Sequence, residues 1–526
     1  MEKKQGKSIE IPFNMEGVGN AYTFVEERLK QNHVNKEIMS ETMLVFEAVS
    51  HNLIEQNHDQ KNLLAVSIKK AIGEINIVLG YEGSPYVPTE NDQNDLSPEA
   101  GILRAYHEKL AYHYSFGYNI INIVVRRNYS SFQLHCFAGI LLAIIAGLSL
   151  FSILKADTRY MVEEQVLFPL TKMYANAMLM VGAPITLFSM IRNMTDLYVV
   201  EDWNSSGRRL QVKTLITSAI SVMLALGMSI LFAIFMNTYH NYLIGYGKVI
   251  VIKDIVDSLV PSNIIEPFET FMPYPMIIVA LLITYALCSV GEYFGVIKKG
   301  IDICYALFSR MLNVVMSFLP FFCFLAFLMP LLADGARSLK LIATAVLVIL
   351  VSMVAMVIFY IVRLKLGGVK IKPFLKKLMP LIEENLKISS VIDAVPFNTR
   401  YCAKNFGFDR KRLTENLPIL AQANLDGNCF ILMMIAMLLI FLMGIEASWV
   451  QVQVIAVLIF FLSFGAPNQP GSILIGTLII ITYLKAEDMA SFAIYMEVFF
   501  GTFQNIINVI GDIVTIAIEE QKKATE

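Results

Sequence analysis

The residues best suited to chemistry lie on one stripe near the C-terminus. Within the apolar stretch 490–518 the polar members are Glu497, Gln504, Asn505, Asn508 and Asp512, with Gly501 among them. Counted from Glu497, the other five stand at offsets of 4, 7, 8, 11 and 15. At the helical repeat these positions share one face. An ionisable side chain at membrane depth is costly, so such a stripe must face a partner or a water-filled cavity. Carboxylate, amide and backbone oxygens together suit a hard cation. A second set, Asn424 and Asp426, sits in Asn-Leu-Asp-Gly-Asn (424–428), just ahead of an apolar arm at 428–445. Asn508 and Asp512 alone would equally serve to bond helices together. Two separate places that each combine Asp with Asn favour an ion.

The elements that must position these residues are membrane helices. The chain has 526 residues, of which 56% are hydrophobic and 16% charged. Soluble domains carry about 25% charged residues, so much of this chain meets lipid. The mean hydropathy is +0.58. A formal net charge of −2 argues against a nucleic-acid partner. The six cysteines form no C-x-x-C pair and read as small buried hydrophobes. Apolar runs at 133–154, 165–191, 210–236, 274–291, 305–332 and 339–362 are each long enough to cross a bilayer as helices, which takes about 20 residues. Lys and Arg cluster on alternate loops: Arg126 and Arg127, then Arg208 and Arg209, then Lys298 and Lys299, then Lys370 to Lys377. By the positive-inside rule this alternation places the N-terminal region in the cytoplasm.

The segment 373–526 departs from plain spans. Residues 446–464 and 472–484 are two arms around Gly-Ala-Pro-Asn-Gln-Pro-Gly (465–471), and the second is too short to cross. Residues 377–400 show a similar interruption at Ser389, Ser390, Asp393 and Pro396. Both predict re-entrant hairpins, which are tolerated only inside protein or beside a cavity. Paired interrupted helices point to a transporter binding site.

These motifs resemble the glutamate and dicarboxylate:cation symporter family over 130–520. The carriers are Leu-Pro-x5-Asn-Leu-Asp-Gly-Asn (417–428), Asn-Val-Ile-Gly-Asp (508–512), Gln-Pro-Gly (469–471), the serine-bearing stretch from Ser389 to Thr399, and the second and third helices. The resemblance implies eight transmembrane helices and two re-entrant hairpins. It divides the chain into a scaffold at 129–372 and a transport core at 373–526. It also implies a homotrimer in the cell membrane, with both termini cytoplasmic, and sodium as coupling ion with no further cofactor. It assigns the cation to Ser221, Asn424, Asp426, Asn508 and Asp512. It assigns the solute to Ser389, Ser390, Gly501, Gln504, Asn505 and Asn508. The family's arginine for a substrate carboxylate falls on Gln504, and its aspartate for a substrate ammonium falls on Gly501. A carboxylate would thus lose its bidentate partner. The expected solute is small and organic, and not an acidic amino acid.

Residues 1–128 read as a small cytoplasmic α/β domain. A helix is expected at 39–57, with strands at 64–70, 74–79 and 118–126, and another helical stretch beginning at Gly101-Ile102-Leu103. The order resembles the ATPase fold of histidine kinases and anti-sigma-factor kinases, with a degenerate nucleotide site at Glu47, Asn52, Glu82 and Gly83. Magnesium demands near-octahedral oxygen ligands, and Asn52 stands one place off the expected spacing. Three functions follow in order of preference. They are a symporter with a regulatory domain, a transporter-like receptor that signals through residues 1–128, and a kinase or ATPase. The first two are not enzymes.

Overall fold

The computed structural model describes residues 8–32, 34, 36–56, 63–71, 74–83, 103, 110–115, 118–127, 129–199, 205–235, 260–388, 390–445, 447–467 and 469–525. They form two compact units. One comprises residues 1–132 together with 396–401, and the other residues 133–395 and 402–526.

The first unit is built on β1 (Ser8–Pro12), α1 (Met15–Gln31), α2 (Lys36–Gln56), β2 (Leu63–Ala71), β3 (Glu74–Glu82), β4 (Leu110–Ser115) and β5 (Tyr118–Arg127). The strands form one antiparallel sheet in the order β1-β2-β3-β5-β4. Alternation selects the buried face: Leu64 and Val66 on β2, Ile75, Ile77 and Leu79 on β3, and Ile121, Ile123 and Val125 on β5. Val25, Leu29, Phe46, Val49 and Leu53 of the two helices cover that face. Asn14 caps α1 by accepting from the Gly17 amide at 2.7 Å, which satisfies an otherwise orphan donor. The helix expected at 39–57 lies in α2, and the three expected strands lie in β2, β3 and β5. Edge strands β1 and β4 and helix α1 were not anticipated. Of the helical stretch expected from residue 101, only Leu103 is described.

The second unit is helical. Its long elements are α3 (Tyr129–Ile153), α4 (Phe168–Val199), α5 (Ser205–Phe235), α6 (Pro273–Ser289), α7 (Phe294–Met316), α8 (Leu319–Asp334) and α9 (Ala336–Leu366). Then follow α10 (Ile371–Asn385), α11 (Val391–Tyr401, of which residues 396–401 fall in the first unit), α12 (Arg410–Ala423), α13 (Asp426–Met443), α14 (Trp449–Gly465), α15 (Ser472–Tyr483) and α16 (Ala490–Thr525). Six helical spans among the described residues are long and apolar enough to cross a membrane, and a seventh arises if α7 and α8 count as one bent span. The chain is thus a polytopic membrane protein. The run 305–332, expected as one helical span, is broken by a 52° bend between α7 and α8. Pro320 stands in the first turn of α8, where its missing N–H costs nothing. The fourth expected span, α6, has 17 residues and is shorter than a typical crossing helix.

The arms of the two expected hairpins correspond to the helices α10 and α11 and to α14 and α15. The second pair packs on α4, and α14 also meets α6. Small residues allow this approach: a Cβ on Gly182 would lie 2.9 Å from Ile475, and one on Gly465 would lie 2.5 Å from Thr186. At the tip, Gly471 has φ +99°, a conformation that only glycine adopts readily.

On β3, Gly80 lies beneath the Tyr118 ring, and a Cβ there would stand 2.8 Å from Tyr118 Cε1. Gly80→Val should therefore destabilise the first unit by about 1–3 kcal/mol. Faster hydrogen exchange of β3 and β5 amides in the full-length protein would register it, and unchanged exchange would refute the packing described.

Candidate functional site

Four of the sequence-predicted residues meet where two helices are interrupted or crossed. Helix α12 ends at Ala423 and α13 restarts at Asp426, with Asn424 and Leu425 between them; the Asn424 backbone amide still donates to the Leu420 carbonyl at 2.7 Å, and the Leu425 carbonyl accepts from the Cys429 amide at 2.9 Å. The Asn424 amide nitrogen donates to Asp512 Oδ1 at 2.9 Å and to the Asn508 carbonyl at 2.9 Å. Asn508 Oδ1 accepts from the Gly427 amide at 2.7 Å, and its amide nitrogen donates to Asn428 Oδ1 at 3.2 Å. Asp426 accepts from Ser218 Oγ and from the Tyr360 hydroxyl, each at 2.9 Å. Both carboxylates are buried, Asp426 at 0% and Asp512 at 2% exposure.

The approach depends on glycine at two points. A Cβ on Gly427 would strike the Gln504 carbonyl. A Cβ on Gly511 would meet Asn424 Nδ2 at 2.5 Å, the Tyr360 hydroxyl at 2.9 Å and Asp426 Oδ2 at 3.1 Å. The glycines of the two motifs thus clear the space in which the oxygens converge.

Two close carboxylates repel in a low-dielectric interior; at an effective dielectric of 20, unit charges 4 Å apart interact by roughly 4 kcal/mol. The cation whose field reaches Asp426 is Arg363, which donates to Thr515 Oγ1 at 3.0 Å from the far side. A hard monovalent ion among carboxylate, amide and carbonyl oxygens would complete the charge balance. Among the described residues no group of three His, Cys, Asp or Glu side chains could hold a metal ion. A set of carboxylate, amide and carbonyl oxygens suits a hard cation better than a transition metal.

The other predicted positions fall around this core. Ser221 is buried but donates back to the Thr217 carbonyl at 2.9 Å, so the α5 hydroxyl on Asp426 is that of Ser218, one turn earlier. Gln504 donates to Ser472 Oγ at the start of α15, while its Oε1 is buried without a partner. Asn505 is buried at 9% exposure. Gly501 faces Glu497, whose Oε1 would lie 2.6 Å from an added Cβ. Ser390 caps α11: its hydroxyl donates to Asp393 Oδ2 at 2.8 Å and accepts from the Asp393 amide at 3.1 Å. Ser389 lies outside the described residues. Ser218, Tyr360 and Ser472 were missed by sequence reasoning. Of these, only Ser218 left a signal, a hydroxyl three residues before Ser221 on the same helix face.

In the first unit, Glu47 is exposed on α2 and Asn52 is buried at 4% exposure. Five helical residues apart, they diverge by about 140° around the axis. Glu82 ends β3 and is exposed, with Gly83 directly after it.

Gly511→Ala tests the cation cluster. Alanine is the better helix former by about 1 kcal/mol, so any loss comes from the Cβ alone. The expected outcome is a sodium affinity at least tenfold weaker in a sodium titration of thermal stability. Wild-type affinity in that variant would refute the geometry.

No curated protein matches the chain at a significant level. The model of the sodium:dicarboxylate symporter family matches residues 132–521, about three-quarters of the chain and every residue of the cluster on α5, α9, α13 and α16. The chain therefore belongs to the sodium:dicarboxylate symporter family.

Proposed function

We propose that this protein is a sodium-coupled symporter for a small, uncharged organic solute, with a regulatory N-terminal unit on the cytoplasmic side. The observation that carries it is the bridge from Asn424 to Asp512 beside Asp426, buried where helices are interrupted. Sodium would bind among Asp426, Asp512, the Asn508 carbonyl and the Asn424 amide oxygen. The solute would lie against Gln504, Asn505 and Asn508. Neither Gln504 nor Gly501 supplies a charge, and a buried amide acceptor without a partner favours a ligand that presents an N–H or O–H,. The alternation of Lys and Arg between loops supports a cytoplasmic N-terminus.

A transporter-like receptor is the second reading, favoured by a first unit with its own buried core. It predicts solute binding without accumulation.

Proteoliposome uptake of a panel of neutral amino acids and small amides separates the two. Uptake that needs an inward sodium gradient is the expected result. Asp426→Ala and Asp512→Ala should each reduce it at least tenfold, or more than about 1.4 kcal/mol. Uptake indifferent to sodium, or to both substitutions, would refute coupling through this cluster.

A further inference from the structure

Glu497 is the one carboxylate of the α16 stripe that takes no part in the cation cluster. It is buried at 4% exposure. Its two oxygens accept from the Gly471 amide at 2.8 Å and the Leu474 amide at 2.9 Å. These amides are the open N-terminus of α15, a 12-residue helix. Such an end attracts anions through its unpaired N–H groups and its dipole. Here the occupant is the protein's own side chain, reaching from 23 residues away or more.

Two further observations tie this contact to the solute pocket. Gln504 donates to Ser472 Oγ, the first residue of α15. Its Oε1, buried with the side chain at 3% exposure, has no partner, so an unused acceptor sits at the same helix end. The Tyr174 hydroxyl is also buried and unpaired, and it lies within electrostatic reach of Glu497. Gly501 completes the arrangement: its missing side chain is the space that Glu497 Oε1 fills.

We infer that Glu497 is a specificity-determining residue: its carboxylate fills the anion subsite at the tip of the second hairpin, so the solute at Gln504 carries no carboxylate there. This rests on the pocket of the proposed symporter. It explains why the stripe holds a carboxylate at 497 and none at 501. A solute carboxylate brought to the tip would meet a like charge and find the amides taken. A neutral solute with a donor group meets the free Gln504 oxygen instead.

Chemical rescue tests the assignment on the purified full-length protein. Thermal stability is measured at fixed sodium with increasing potassium acetate, against potassium chloride and acetamide as controls. Wild type should respond to acetate no more than to chloride. Glu497→Ala empties the subsite, and acetate should then raise its apparent Tm by roughly 2 °C or more, with no effect of acetamide. Gly501→Ala displaces the Glu497 carboxylate without removing it, and should gain the same acetate response even if Glu497→Ala fails to fold. Acetate acting equally on wild type and variants, or on no variant, would overturn the inference. The readout needs neither transport nor a sodium gradient, so coupled uptake can fail while the rescue succeeds, or the reverse.

Discussion

The structure of the transport unit turns on burying two carboxylates, Asp426 and Asp512, beside one asparagine amide. Buried charge is tolerated only when it is paired and hydrogen-bonded. Asp426 takes two hydroxyl donors, from α5 and α9, and Asp512 takes the Asn424 amide. Those donors come from three different elements, so the pair holds α5, α9, α12, α13 and α16 in one register. Removing a donor would leave a buried acceptor unsatisfied, at a cost of about 1–3 kcal/mol. Each glycine near the cluster follows from the same constraint, because a side chain at 427 or 511 would occupy the site itself.

Interrupting helices at membrane depth exposes backbone donors that water cannot reach. Both interruptions are resolved by α16. Asn508 accepts from Gly427 at the start of α13, and Glu497 accepts from Gly471 and Leu474 at the start of α15. Residues 497 and 508 are 11 apart, close to three helical turns, so they share a face about 16 Å apart along the axis. One helix thus caps two half-helices, with a neutral amide at one and a carboxylate at the other. The polar stripe is first a structural necessity of the broken helices. Its leftover oxygens are what remain for ligands.

How much of this could be read in the sequence follows from where the information lies. The stripe on α16, the break at 424–428 and the glycine-proline tip at 465–471 are local patterns, so periodicity and turn chemistry reveal them. The strands β2, β3 and β5 also carry their own alternation. Tyr360 had no such mark: it is one tyrosine in the apolar helix α9, and only tertiary packing turns its hydroxyl to Asp426. The choice of Ser218 over Ser221 is likewise set by the rotation of α5 against α13. Glu497 was visible as a stripe member, but its partners are backbone amides 23 and 26 residues earlier, which no side-chain pattern announces. The bend after α7 was hidden because an unbroken apolar run reads the same whether straight or kinked.

Charge balance is the last step from geometry to chemistry. The cluster presents two buried carboxylates, and Arg363 approaches from the Thr515 side as the nearby opposing charge. With both carboxylates ionised, one guanidinium against two carboxylates would leave a net charge near −1, a deficit that the single sodium ion of the proposed coupling would fill. A divalent ion would overshoot and would also want more oxygen ligands, six to eight in the case of calcium. Glu497 does not enter this sum, since its carboxylate faces the dipole and amides of α15. Helix-end stabilisation of that kind amounts to about 0.3–2 kcal/mol, with each hydrogen bond to a charged group adding about 1.5–3 kcal/mol. Under the proposed coupling, the two acidic centres of the stripe are neutralised by different means, one by backbone dipoles and one by sodium.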